Sequence, residues 1–209
     1  MRPSPDTPKP RSPRPRAARL SPEKRAASIR AAALLVLAEH GIGHTNHSVV
    51  AEAAGVSVQT VFFYYRTHAE LTALVLEDVR AKLVDGIVRT GAAEHSDPRL
   101  ALEWMLLTFA DFIDQERDTA RVWLDWSTAI RSETWAAYLD FLAEARRVIA
   151  AMLEDRPATD MAVDPQEAAQ VVVGLAHMIG HMKFEGASGD VIARTIRALV
   201  GALFVSRPT

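Results

Sequence analysis

The chain has 209 residues, 49% of them hydrophobic and 24% charged, carries a net charge of −2 at pH 7 and contains no cysteine. Without thiols it has no disulfide, thiolate metal site or cysteine nucleophile. It also lacks G-x-S-x-G, a Walker lysine loop and G-x-G-x-x-G, so hydrolase, phosphate-cradle and dinucleotide chemistries are missing by motif. No apolar run approaches the roughly 18 residues that span a bilayer, and the N-terminus is Pro-rich rather than apolar, which predicts a cytoplasmic chain with no membrane partner.

Charge is unevenly distributed. Residues 1–25 hold eight basic residues against two acidic ones, and the other 184 hold sixteen against twenty-four. An acidic body with a basic arm suits a protein that holds a polyanion at one end. Seven of the eleven prolines fall within residues 1–22, so residues 1–20 are expected to be a disordered basic arm in isolation. Arg14, Arg16 and Arg19 lie close enough to the first helix to enter a DNA minor groove. The alternative is a solubilising tail without specific contacts.

Ser21-Pro22 supplies an N-cap with proline at the first helical position. The helix it opens carries the apolar stripe Ile29, Ala33, Val36 and Leu37 and stops at Gly41. Residues 47–71 read as two short helices around a tight turn, followed by a capped third. Val49, Val50, Ala53 and Ala54 recur at helical spacing, Gly55 is a C-terminal stop and Ser57 caps the next helix. This is the shape of a helix-turn-helix, in which the second helix, about 58–65, lies in the major groove. Gln59 and Thr60 sit where such a helix meets base edges. Phe62-Phe63-Tyr64-Tyr65 cannot all face one way, because successive helical residues turn by about 100°. Phe62 and Tyr65 are expected to pack inward, with Phe63 and Tyr64 nearer the DNA; the alternative is that all four glue a small domain. His40, His44, His47 and His68 cluster near the reader, where protonation would add positive charge beside phosphate.

Thr67-x-x-Glu70 matches a capping box, and the helix it opens runs from His68 through Leu71, Val75, Val79 and Leu83 towards Gly91, long enough to join two domains. Asp97-Pro98 and Asp164-Pro165 are two further cap pairs, and Gly186 to Gly189 breaks the chain again. All four tryptophans lie between 104 and 135. This aromatic zone suggests a ligand cavity lined by Trp104, Phe109, Trp123, Trp126, Ser127 and Trp135, with His177 facing them; a packed aromatic core is the alternative. His177, His181 and Glu185 could share a helix face, but they form no recognised metal motif, so neither metal nor cofactor is assigned. The last two helices, about 165–183 and 190–205, carry more apolar surface than one face buries.

GVSVQTVFFYYRTHAEL at 55–71 resembles the recognition-helix signature of the TetR family of transcriptional regulators. GIG at 41–43, His47, VSVQTVF at 56–62 and VWLDWSTAIRSETW at 122–135 resemble its LuxR/HapR-type branch of quorum-sensing master regulators. The resemblance implies an all-α fold of about nine helices, with a helix-turn-helix domain over 21–67 and a helical effector-binding and dimerisation domain over 68–209. It implies a non-enzymatic regulator, activator or repressor, bound as a homodimer to a pseudo-palindrome in double-stranded DNA and modulated by a small-molecule effector. Gln59 and Thr60 would read bases, Val58 and Phe63 would make apolar contacts, Ser57, Tyr64 and His68 would hold phosphates, and His47 would belong to the same DNA-binding set. His68 stands where relatives often carry Lys or Arg, and Phe63 where a polar residue is usual. The terminal helix pair would dimerise through Val171, Leu175, Ile192, Ile196, Leu199 and Leu203. A helical scaffold or adaptor without specific DNA binding is the competing reading.

Overall fold

A computed structural model describes residues 21–155 and 161–204, so Arg14, Arg16 and Arg19 lie outside the described residues. The architecture is all-α. Helix α1 spans Pro22–His40, α2 His47–Ala54, α3 Val58–Tyr64 and α4 His68–Arg80. A π-helical stretch, Ala81–Arg89, and the short α5, Thr90–Glu94, prolong α4 without a break. There follow α6 (Pro98–Gln115), α7 (Arg117–Thr128), α8 (Trp135–Asp155), α9 (Pro165–Phe184) and α10 (Gly189–Gly201). With α4 to α5 taken as one rod, the described residues form nine helical rods, and their only β pairing is an isolated bridge between Met161 and Phe204.

Local chemistry explains most of the boundaries. The Ser21 side chain accepts from the Lys24 amide, and the Asp97 and Asp164 carboxylates each accept two amides of the turn they precede, beside a proline that has no amide to satisfy. Thr67 Oγ1 accepts from the Glu70 amide at 3.1 Å, and Glu70 Oε2 reaches back to the Arg66 amide at 2.9 Å, a variant of the capping box displaced by one residue. The final helix ends at Gly201, short of 205, because the Leu203 carbonyl turns away to accept from the Ala162 amide at 2.9 Å.

The π-helical stretch has no simple sequence signature. Its ring closure brings residues i and i+5 together, and two contacts depend on that spacing: Arg80 Nη2 to Asp85 Oδ2 at 3.0 Å, and Thr90 Oγ1 donating to the Asp85 carbonyl at 3.0 Å. Glu144 on α8 binds both Arg80 and Arg89, at 3.2 and 2.6 Å, clamping the stretch to α8. Leu83, Val84 and Ile87 are thereby held in the core, which runs unbroken from α1–α3 into the larger helical body. No helix among the described residues is long and apolar enough to cross a membrane.

At the end of this rod, Gly91 is pressed against α6. A Cβ there would lie 2.6 Å from Met105 Cγ and 2.9 Å from the Trp104 ring. Gly91→Val is therefore expected to destabilise the protein by about 1–3 kcal/mol, as overpacked cores do; an unchanged midpoint in urea unfolding would refute this close approach.

Candidate nucleic-acid interface and effector cavity

The reader is built around one left-handed glycine. Gly55 has φ 63° and ψ 36°, a conformation that costs residues with a Cβ more. It lets the Val56 amide turn back onto the Ala51 carbonyl at 3.0 Å, closing α2. Ser57 Oγ then accepts from the Thr60 amide at 3.1 Å and pairs with Thr60 Oγ1 at 2.8 Å, starting α3. Val61 is fully buried and fixes the rotation of α3. Gln59 and Phe63, four apart, consequently share an outward face, with Phe63 80% exposed. Ser57 is also exposed, Thr60 is partly exposed, and Val58 and Tyr64 are half-buried against the core.

The inward aromatics differ in part from expectation. Tyr65 is buried, and its hydroxyl donates to the Ala26 carbonyl at 2.8 Å, tying α3 to α1. Phe62 is half-exposed instead of inward, because Val61 already occupies the core-facing position and Phe62 stacks on the His47 ring at 4.2 Å. His47 is buried beneath that ring, and its Nε2 donates to the Tyr65 carbonyl at 2.9 Å. The structure thus places it as the bolt between α2 and the end of α3, with little surface for a phosphate. His68 is half-buried, its Nε2 against Thr45 Oγ1, and burial together with nearby His47 lowers its pKa below 6.5. It is therefore predominantly neutral at pH 7, contrary to the expected source of positive charge.

A cavity of about 70 Å³ lies in the larger body. Phe109, Trp123 and His177 line it, joined by Leu83, Met105 and Phe141. Trp126 instead lines an open cleft of about 740 Å³ between the reader and the body, and its indole donates to the Thr134 carbonyl at 3.0 Å. Trp104, Ser127 and Trp135 line neither space: the Trp104 ring covers Gly91, Ser127 Oγ donates to the Leu124 carbonyl, and Trp135 stacks on Tyr138. His177 Nδ1 donates to the Val173 carbonyl at 2.8 Å, leaving Nε2 to accept from the Tyr138 hydroxyl at 2.7 Å. Burial lowers the His177 pKa and pushes that of Tyr138 up to about 12, so this pair is neutral.

A hydrogen bond from α7 reaches the reader close to the cavity. Asp125 Oδ2 accepts from the Ile42 amide at 2.8 Å, just beyond the Gly41 turn that ends α1. Two residues earlier on α7, Trp123 forms cavity wall. Sequence inspection missed Asp125, although it lies within the tryptophan-rich block, because nothing local marks a side chain that caps a turn 83 residues away.

Residues 29–75 match the family of bacterial regulatory proteins described as the tetR family. These 47 residues, which hold α2 and α3, are thus similar to a tetR-family DNA-binding domain. It is 32% identical over 116 residues to the HTH-type transcriptional regulator LuxR of Vibrio harveyi, a match that spans 56% of this chain and about half, 56%, of that regulator. A TetR-like transcriptional regulator from Rhodococcus sp. RHA1 superposes with a TM-score of 0.72 at 21% identity, over 88% of this chain and 97% of that one. The transcriptional regulator FadR of Bacillus subtilis, solved in complex with stearoyl-CoA, gives 0.70 at 15% identity, over 83% and 96%. Both likenesses establish the fold.

The residues expected at a dimer interface separate into two groups on the terminal helices. Ile192, Ile196 and Leu203 are buried within the chain's own core: α10 packs the face carrying Ile192 and Ile196 on α6 and α9, and Leu203 lies just beyond its end. Val171 and Leu199 remain exposed and Leu175 half-buried, with Met178 continuing the row along α9.

His68 and His177 both have folded pKa values below the 6.5 of an unhindered imidazole. As pH falls through 6.5 the unfolded chain takes up protons that the fold refuses, so these two groups reduce stability on the acid side. The fall in thermal midpoint from pH 7.5 to 5.5 should therefore be smaller in His177→Gln than in the native protein; equal falls would show that the burial of His177 carries no such penalty.

Proposed function

We propose that this chain is a homodimeric, DNA-binding transcriptional regulator acting in the cytoplasm, with DNA affinity controlled by a small apolar effector in the Trp123 cavity. The observation that carries the reading is the outward face of α3. Gln59 and Phe63 project together from a helix whose rotation is locked by Val61, and a phenyl ring left 80% in water is matched to a surface that covers it. In a major groove Gln59 reads an adenine edge, Phe63 packs on a thymine methyl, and Thr60 and Val58 complete the contact. Ser57 and Tyr64 contact phosphates. His68, being neutral, adds hydrogen bonding rather than charge, and His47 holds the α2–α3 geometry from beneath.

The arm residues Arg14, Arg16 and Arg19 supply electrostatic grip, a reading that rests on charge and sequence position alone. Two copies associate through Val171, Leu175, Met178 and Leu199, giving two readers on half-sites one helical turn, about 34–36 Å, or multiples apart. An effector that prefers the spacing unsuited to DNA lowers affinity by that preference, transmitted along α7 from Trp123 to Asp125 and the end of α1.

Selection from a random duplex pool tests this directly. A pseudo-palindromic winner is expected, with affinity falling as salt rises, and less steeply for a chain lacking residues 1–19. Gln59→Ala should lose specificity worth about 1–3 kcal/mol at one base pair while dimerisation is kept. Leu175→Glu should give a monomer by sedimentation and lose the palindrome's affinity. No enriched sequence would favour a helical adaptor that uses its basic arm on an acidic protein.

A further inference from the structure

The open cleft between reader and body is walled by small residues and carries a surplus of one charge. Ala69 and Ala73 on α4 and Ala137 and Asp140 on α8 line its space of about 740 Å³, and Arg80 and Glu144, joined at 3.2 Å, bridge the two helices. Ile42, Gly43 and Thr45, just beyond α1, add a further wall. Four carboxylates, of Glu77, Glu133, Asp140 and Glu144, border the cleft against a single cation, Arg80. That guanidinium is already bonded to Glu77, Glu144 and Asp85. Glu133 and Asp140 are exposed, and their side chains form no ion pair or hydrogen bond among the described residues. His68, on the reader side of the lining, is kept neutral by burial and offsets none of this charge. Such a cleft repels phosphate and favours a cationic occupant.

A cationic segment of the chain itself is within reach. Residues 2–11 lie outside the described residues; they hold Arg2, Lys9 and Arg11 against Asp6, with Pro3, Pro5, Pro8 and Pro10 interspersed. Helix α1 has 19 residues, which at 1.5 Å per residue make about 28 Å, and its C-terminal end leads into the cleft wall at Ile42. An extended chain gains about 3.3 Å per residue, so residues 12–20 suffice to run back beside α1, and residues 2–11 then arrive at the cleft. A proline-rich sequence forms no helix of its own there and loses little entropy on lying extended in a groove.

We propose that residues 2–11 of the basic arm dock in this cleft when DNA is absent, with Lys9 and Arg11 against Asp140 and Glu133. Resting on the DNA-binding reading above, the docked arm draws Arg14, Arg16 and Arg19 back along α1, so that cleft and DNA compete for one segment. The tether makes the contact intramolecular, which raises the effective concentration of an otherwise weak pairing.

The chain has no cysteine, so an introduced pair reports a single contact. In the full chain, Thr7→Cys with Ala137→Cys should close an intrachain disulfide about fivefold faster than Thr7→Cys with Val191→Cys, an exposed site on α10 outside the cleft lining, because docking concentrates the arm at the cleft. Adding Glu133→Lys and Asp140→Lys should slow the first reaction about fivefold, the effect of losing two surface ion pairs. Equal rates at Ala137 and Val191, indifference to the charge reversal, a disulfide that joins two chains instead of closing one, or occupation of the cleft by added spermidine with no arm cross-link would overturn the proposal. Duplex DNA should slow the Ala137 cross-link, and Glu133→Gln with Asp140→Asn should raise DNA affinity in the full chain but not in a chain lacking residues 1–19. If the cross-link forms and neither change follows, docking stands and its competition with DNA falls.

Discussion

The fold turns on how α7 meets the end of α1. The Gly41 turn exposes the Ile42 amide, and the Asp125 carboxylate closes it at 2.8 Å; such charge-assisted bonds contribute about 1.5–3 kcal/mol. Around it α7 packs on both α1 and α4, so the first and fourth helices of the reader rest on one helix of the body. The orientation of α3 depends in turn on α1, because the Tyr65 hydroxyl is anchored on Ala26. A shift of α7 thus has a mechanical route to the outward face of Gln59 and Phe63.

The second constraint is the rod from α4 to α5. A plain α-helix would place Arg80 and Asp85 on different faces; the π-helical register brings them together and lets Glu144 grip Arg80 and Arg89 from α8. These pairs are partly solvated, so each adds modestly to stability, but together they fix which residues of the rod face inward. Leu83 and Ile87 thereby become cavity wall, while Gly91 lets α6 approach the end of the rod closely.

Several polar groups in the aromatic zone of the body are matched. Tyr138 and His177 satisfy each other and the Val173 carbonyl, and Trp126 finds Thr134, whereas Trp123 finds nothing. Buried donors without partners are uncommon because each costs desolvation without a returned bond, so the close packing around Trp123 is gained at the cost of that bond.

Helix ends were legible in the sequence because caps are local: Ser21, Ser57, Thr67, Asp97 and Asp164 each satisfy amides within three residues of themselves. The helix-turn-helix was legible for the same reason, since Gly55 and Ser57 encode a turn that needs no distant partner. Periodicity alone could not rank Phe62 against Val61, nor tell whether Ile192 and Ile196 faced a second copy or α6, because an apolar stripe states that something covers it without naming what does. Nor could it divide the tryptophans, of which Trp123 walls the cavity, Trp126 the cleft, and Trp104 covers a glycine. Those outcomes, like the docking of Asp125 and the π-helical register, depend on contacts between residues far apart in the chain. The sequence by itself determined where the capped helices begin and that the second of a close pair is offered outward; only tertiary packing decided which side chains are spent on holding the fold and which are left free to bind.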